Sequence, residues 1–329
     1  MSDTTIVTVR EALQRALDEE LARDPGVFVM GEDIADPFGG SWKVTAGLST
    51  KYGAERVRNT PISEAAIVGA AVGAALVGMR PVAEIMYIDF LGLCADGIVN
   101  QAAKMRYMSG GQVAVPVVFR TQAGAGRSTA AQHGQSLESW MTHVPGLIVI
   151  MPSTPADAYG LLKSAIRDDN PVMFIESKMA YNSKGPLAVA EHTVPIGVAD
   201  IKRSGSDVTI VAIGAMVHEA LAAAETLAAE GIEAEIIDPR TLVPLDKQTI
   251  LDSVRKTSRA VVVHEANKRS GWGAEMAAII AEEAFYDLDG PVLRVAAHDV
   301  PMPSAPHMEA FVRPDAGKIA AAVRRLVKA

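Results

Sequence analysis

The chain has 329 residues, 49% of them hydrophobic, with a formal net charge of -8 and a pI of about 5.4. That is enough apolar material for a large core, and the length suits two domains rather than one. An acidic surface offers no long-range attraction to nucleic acid or to an anionic membrane, which argues against both as partners.

The N-terminal MSDTTIVTVREAL has no basic segment leading into an apolar one, so no secretory signal or presequence is expected. Periodicity predicts a helix over 8–23, a strand over 27–30, a helix over 63–77 and a strand over 81–85. There follow a helix over 90–107, strands over 115–120 and 147–151, a helix over 154–166 and a strand over 172–176. The longest apolar run, Ala65 to Met79, is shorter than the roughly 20 residues that span a bilayer, and small residues dominate it; it reads as a buried helix. The single cysteine, Cys94, lies in the apolar stretch DFLGLCADGIV, which excludes an intrachain disulfide and fits a reducing cytoplasm.

Between 181 and 195 the sequence YNSKGPLAVAEHTVP loses periodicity and carries Pro, Gly and Ser, the signature of a connection between domains. Alternation then resumes: strand 208–213, helix 217–229, strand 234–238, helix 247–254, strand 260–264, helix 273–285, strand 292–295 and helix 315–327. The fold class is therefore α/β, with a mostly parallel sheet and helices on both faces followed by a smaller α/β domain. The limits are 1–185 for the first domain, 186–200 for the linker and 201–329 for the second.

Neither a dinucleotide fingerprint nor a P-loop occurs; Gly124 and Gly126 give two glycines of the former but no third at the required spacing. Gly69, Gly73 and Gly78 fall on a helix instead of a turn, where each costs on the order of 1 kcal/mol relative to alanine. Close approach of another helix, plausibly from a second subunit, would offset that. Ser63 and Glu64 begin this helix. They read either as a cap on free N–H groups or, given the apolar run behind them, as a half-desolvated acid suited to proton traffic.

His133, in GAGRSTAAQHGQSLES, is either a structural loop histidine or an acid–base group whose ordinary pKa near 6.5 suits neutral pH. The helix ending in SAIRDDNP leaves carbonyls near Ala165, Asp168 and Asn170 for water or for a monovalent cation. The seven histidines are scattered, so no zinc site is expected, and no G-x-S-x-G elbow supports a serine triad.

Taken together, GEDIADPFGGSWKVTAGL, TPISEAAIVGAAVGAALVGMRPVAEIMYIDF, KMRYMSGG, AAQHGQSLES, HVPGLIVIMPSTPADAYGLLKSAIRDDNPV and AHDVPMP resemble the β subunits of 2-oxo acid dehydrogenase complexes, collinearly over nearly the whole chain. The resemblance implies a thiamine diphosphate pyrimidine-binding domain followed by a transketolase C-terminal-like domain. By it, Glu64 hydrogen-bonds the aminopyrimidine ring and promotes its imino tautomer, while Phe90 and Met86 pack against that ring. His133 assists reductive acyl transfer to a lipoyl group. Val117, Ala165, Asp168 and Asn170 match a potassium site built mainly from backbone carbonyls.

The family's GDG motif for diphosphate and Mg2+ is missing from the sequence, which implies an α subunit that supplies it, in an assembly of two α and two β chains. A lipoylated acyltransferase core and a small 2-oxo acid or acetoin complete the implied partners. IDFLG, RTQAGAG, YNSKG, IDPRTLVPLD and HEANKR look closer to acetoin-type than to mitochondrial pyruvate-type subunits. Gly134 departs from the family, which commonly has serine there. Two other readings stay open: a split transketolase- or synthase-like enzyme without a lipoyl acceptor, and a noncatalytic assembly module.

Overall fold

A computed structural model describes residues 3–328 as two compact units. Of the described residues, the first comprises 3–123 and 140–196, and the second 124–139 and 197–328, so a short internal segment belongs with the later part of the chain. The outermost limits of the expected domains, 1 and 329, lie outside the described residues.

In the first unit, parallel strands run in the order Ile148–Ile150, Val172–Ser177, Val118–Ala123, Arg80–Ile85, Val27–Gly31 and Val57–Asn59. The strands Val27–Gly31, Val118–Ala123 and Val172–Ser177 are buried along their whole length, which is why Val27–Gly31 reads as a continuous apolar run instead of an alternating one, while the other two carry Arg120, Gln122 and Glu176 within the buried sheet. Helix Val9–Arg23 is opened by a capping box between Thr8 and Glu11, and helix Pro155–Arg167 by Thr154 with Pro155 in its first turn. Both bury their apolar faces in one core with Leu13, Leu17, Leu161 and Ile166.

The stretch expected to be an unstructured connection is not one throughout. Lys184–Ala188 forms a strand that pairs antiparallel with Thr4–Thr8, Thr8 opposite Lys184 and Thr4 opposite Ala188. It was hidden because Gly185 and Pro186 lie within it, and Pro is tolerated only on an edge or short strand.

The second unit carries a sheet in the order Leu293–Ala297, Ala260–Asn267, Val208–Ala212, Ala234–Asp238 and Asp200–Arg203, with only the last strand antiparallel. Helices Met216–Ala228 and Ala316–Val327 cover one core, to which strand Val208–Ala212 contributes Val208, Ile210 and Ala212. Among the described residues, no helix is long and apolar enough to cross a membrane.

Candidate active site

In doubly wound folds the ligand edge lies beyond the carboxyl ends of the parallel strands. Glu32 follows Val27–Gly31 directly, and Glu64 opens the helix Glu64–Leu76 soon after Val57–Asn59. That helix forms because its run is rich in alanine and buries Ile67, Val68, Ala71, Val72 and Ala75 along one side.

Ser63 does not cap it; its side chain makes no capping hydrogen bond. Glu64 is 7% exposed, and among the described residues no hydrogen bond reaches its carboxylate. A mostly buried carboxylate with no donor among the described residues depends on water, a ligand or a partner for its hydrogen bonds. Glu32 is also buried and its Oε1 has no hydrogen-bond partner. Burial pushes the Glu32 carboxyl up, and the neighbouring charges of Glu64, Asp33 and Glu84 push it further.

Cys94 faces the same region. Its thiol is pushed up to about 12 by burial and then by the Glu64 charge, so it is an inert apolar filler at neutral pH.

The other face of the helix is bare. A Cβ built on Gly69 or Gly73 would meet nothing within 4 Å, and the flanking Ile62 and Val77 are 82% and 81% exposed. Within the chain, close packing on this helix occurs on its other side and involves another glycine: a Cβ on Gly97 would lie 2.6 Å from Val68 Cγ1. Gly97 starts a wide π turn that interrupts the expected helix over 90–107.

Met86 and Phe90 lie beyond the end of strand Arg80–Ile85, both half-buried, and the Ser41 hydroxyl lies 2.7 Å from the Met86 sulfur. Under them the sheet holds an ionic triad. Arg120, fully buried, donates from Nε and Nη2 to Glu176 at 2.6 and 2.8 Å and from Nη1 to Glu84 at 2.8 Å. Gln122 adds a hydrogen bond to Glu84 and Tyr181 one to Glu176. Two acids around one bidentate guanidinium satisfy each other in a place where any one alone would be costly.

Of the residues matched to potassium, Ala165, Asp168 and Asn170 lie at or just beyond the end of helix Pro155–Arg167, and Val117 precedes strand Val118–Ala123. The Val117 carbonyl accepts from Val172 N–H, that of Ala165 from Asp168 N–H, and that of Asp168 from Arg80 Nη1 at 2.9 Å. A guanidinium therefore already lies at this negative helix end.

In the second unit, His133 is half-buried within the segment 124–139. The Gly124 N–H donates to the Gln135 carbonyl at 2.8 Å and closes the segment into a loop; the Thr129 hydroxyl donates to the His133 carbonyl at 2.7 Å. Residues 134–136 form one wall of a cleft of about 350 Å³ whose other walls include Asn267, Arg269 and Met302. Gly134 is glycine for a steric reason: a Cβ there would lie 2.8 Å from the Ala130 carbonyl oxygen and 3.1 Å from Met302 Cγ.

Residues 6–184 match the transketolase pyrimidine-binding domain and residues 197–319 the transketolase C-terminal domain. The chain is 49% identical to the β subunit of an acetoin:2,6-dichlorophenolindophenol oxidoreductase of Cupriavidus necator, over 98% of both chains. It is 48% identical to a mitochondrial pyruvate dehydrogenase E1 β subunit of Oryza sativa, over 97% of this chain and 86% of that one. It is 44% identical to the 2-oxoisovalerate dehydrogenase β subunit of Bacillus subtilis, over 98% of this chain and 99% of that one.

The chain belongs to the thiamine diphosphate-dependent 2-oxo acid dehydrogenase β subunits. A solved split-gene transketolase, described as an inactive β4 tetramer, shares the fold with a TM-score of 0.79 and 26% identity over 98% of this chain and 99% of that one.

Several buried polar groups of this β subunit escaped the reading of its sequence. Glu32 was legible in principle, as an acid immediately after a wholly apolar strand. Glu84, Arg120 and Glu176 were legible too, as charges inside such strands. Glu138 carried no signal: fully buried, with neither carboxylate oxygen hydrogen-bonded, its carboxyl is pushed up to about 7 by burial and by the charge of Glu265. His264 is the opposite kind of silent group. Its ring is wedged against Gly271 and Gly273 with both nitrogens unpartnered, and burial lowers it to about 4, which keeps it neutral.

Proposed function

We propose that this β subunit completes, with an α subunit, a thiamine diphosphate site in an assembly of two α and two β chains, and that the enzyme cleaves acetoin or a 2-oxo acid and passes the acyl group to a lipoyl group of an acyltransferase core. The observation that carries the reading is Glu64, a buried carboxylate at a helix start with no hydrogen-bond donor among the described residues. A ring nitrogen of an aminopyrimidine is the kind of group that completes it. When bound, the cofactor supplies a stabilised carbanion for cleavage of the carbon–carbon bond next to a carbonyl.

Glu64 holds the proton shared with the ring and so selects the tautomer; Phe90 and Met86 orient the ring and exclude water. His133 positions the acceptor and moves a proton during acyl transfer. The α subunit supplies the diphosphate grip and Mg2+, since this sequence has no GDG motif. The bare glycine face of helix Glu64–Leu76, flanked by Ile62 and Val77, is the surface for a neighbouring subunit.

Potassium remains part of the reading. The carbonyls of Val117, Ala165, Asp168 and Asn170 each offer two lone pairs, so a hydrogen bond from Arg80 or a backbone N–H leaves one for a cation. Acetoin is the proposed substrate, on the motifs shared with acetoin-type subunits and on the 49% identity to one of them. A cytoplasmic location fits the reduced, buried Cys94.

The test is reconstitution with the neighbouring α chain, thiamine diphosphate titration, and assay of acetoin, pyruvate and branched 2-oxo acids with and without lipoylated partner. Glu64→Gln should lower the rate by about 10²–10⁴-fold, the usual worth of positioned proton transfer. Full activity of that variant would refute the reading. The likeness to a split-gene transketolase favours a second reading, an enzyme with another acceptor; activity indifferent to lipoylated partner would select it.

A further inference from the structure

We infer that Glu265 and Glu309 are positioning residues that hold the His133 loop in its working shape by presenting carboxylates to its backbone N–H groups. This rests on the role proposed for His133.

Loop 124–139 begins with backbone that alternates in hand. Gly124 has φ +91° and Gly126 +90°, and Ser128 and Ala130 adopt φ of 56° and 63°, values that side-chain-bearing residues rarely take. Such alternation turns successive N–H groups toward one side and creates a concavity for an anion. Here the anion is internal. The Ala125 N–H donates to Glu265 Oε1 at 2.9 Å; the Gly126 N–H donates to Glu309 Oε1 at 2.7 Å, and that of Ser128 to Glu309 Oε2 at 3.1 Å.

The two carboxylates come from different elements of the same unit, Glu265 from strand Ala260–Asn267 and Glu309 from helix Pro306–Val312. Both are buried. Glu265 is also fixed by the Arg313 guanidinium at 3.0 Å, whereas among the described residues no cation pairs with Glu309, whose charge is answered by loop amides alone. Gly124 is packed on the same anchor, since a Cβ there would lie 2.5 Å from Glu265 Oε2.

Consequently the loop's strained turns are imposed from outside. The neck bond from Gly124 to Gln135 and the Thr129 contact to the His133 carbonyl then transmit that shape to the histidine. Removing a carboxylate frees the amides, lets Ser128 and Ala130 relax, and displaces His133; displacement of a catalytic group by about 1 Å costs up to about 10²-fold.

The experiment uses the reconstituted complex with the α chain and compares wild type, Glu309→Ala, Glu309→Gln and His133→Ala. Three quantities are read: hydrogen exchange of the peptide covering 124–139, substrate oxidation with 2,6-dichlorophenolindophenol as acceptor, and acyl transfer to a lipoylated domain. We expect Glu309→Ala to speed exchange in that peptide and to lower kcat for lipoyl transfer by on the order of 10–10²-fold while dye reduction stays near wild type. Glu309→Gln, which keeps an acceptor oxygen, should recover most of the loss.

Unchanged exchange in Glu309→Ala, or unchanged lipoyl transfer when His133→Ala lowers it, overturns the inference. If instead His133→Ala leaves lipoyl transfer intact while Glu309→Ala still speeds exchange, the role of His133 falls and the carboxylate brace stands. Should Glu309→Ala fail to assemble, Glu309→Asp, which keeps the charge but draws it back by one methylene, is held to the same two readouts.

Discussion

Glu64 and Glu309 are the same chemical group, both buried and neither paired with a cation among the described residues, yet they are placed in opposite ways. Glu309 spends its lone pairs on backbone amides of its own unit, at 2.7 to 3.3 Å, and is therefore complete. Glu64 receives no hydrogen bond among the described residues. On the proposed readings the contrast separates a carboxylate that shapes a loop from one that takes a ligand, and burial alone would not have told them apart. The Glu84–Arg120–Glu176 triad marks a third case, in which acids are satisfied by a buried cation.

The sharpest way to break the contrast is at Glu64. Glu64→Gln should abolish most turnover, about 10²–10⁴-fold, with little change in the thermal midpoint of the reconstituted enzyme. A large loss of stability with preserved turnover would make Glu64 structural and remove the distinction.

Arg120→Met should do the reverse. It strands two buried acids and should lower unfolding free energy by about 3–5 kcal/mol in a denaturant titration. A loss below about 1 kcal/mol would mean that water or proton uptake satisfies Glu84 and Glu176 as well as the guanidinium does.

Glu138 sharpens the comparison through pH. Its carboxyl sits at about 7 in the folded chain against an ordinary 4.5. Its neutral form thus favours the folded state: the contribution is fully present below about 4.5 and lost as pH rises through about 7. The thermal midpoint should fall between those values, and Glu138→Gln should flatten the profile and be the more stable chain above pH 7. An unchanged profile in the variant would show that Glu138 does not titrate in this range.

The smallest effect is expected at Gly134. Gly134→Ser, which restores the residue common in the family, must displace Ala130 or Met302 and should cost about 1–3 kcal/mol by overpacking, seen as a lowered thermal midpoint. A neutral substitution would mean the loop shifts freely, which would also weaken the case for its brace.

Much of the fold was legible because its signals are local. Val27–Gly31 announced itself as a continuous apolar run, and Thr8 with Glu11 or Thr154 with Pro155 marked helix starts through bonds only three residues long. Lys184–Ala188 was missed since its strand character comes from Thr4–Thr8, far away in sequence. Glu64 could be picked out by its position before an apolar helix, and His133 by its flexible loop. Glu265 and Glu309 could not, because their partners are backbone amides, which carry no side-chain signature.

By itself the sequence determined the two α/β units, since periodicity and capping act within a few turns of chain, and its resemblance to known β subunits gave the family and the candidates Glu64 and His133. The tertiary structure alone decided which buried acids are satisfied: Glu309 by loop amides, Glu84 and Glu176 by Arg120, and Glu64 by nothing among the described residues. Hydrogen bonds reach only about 3 Å, so whether a carboxylate is complete depends on which distant segments the fold brings within that distance.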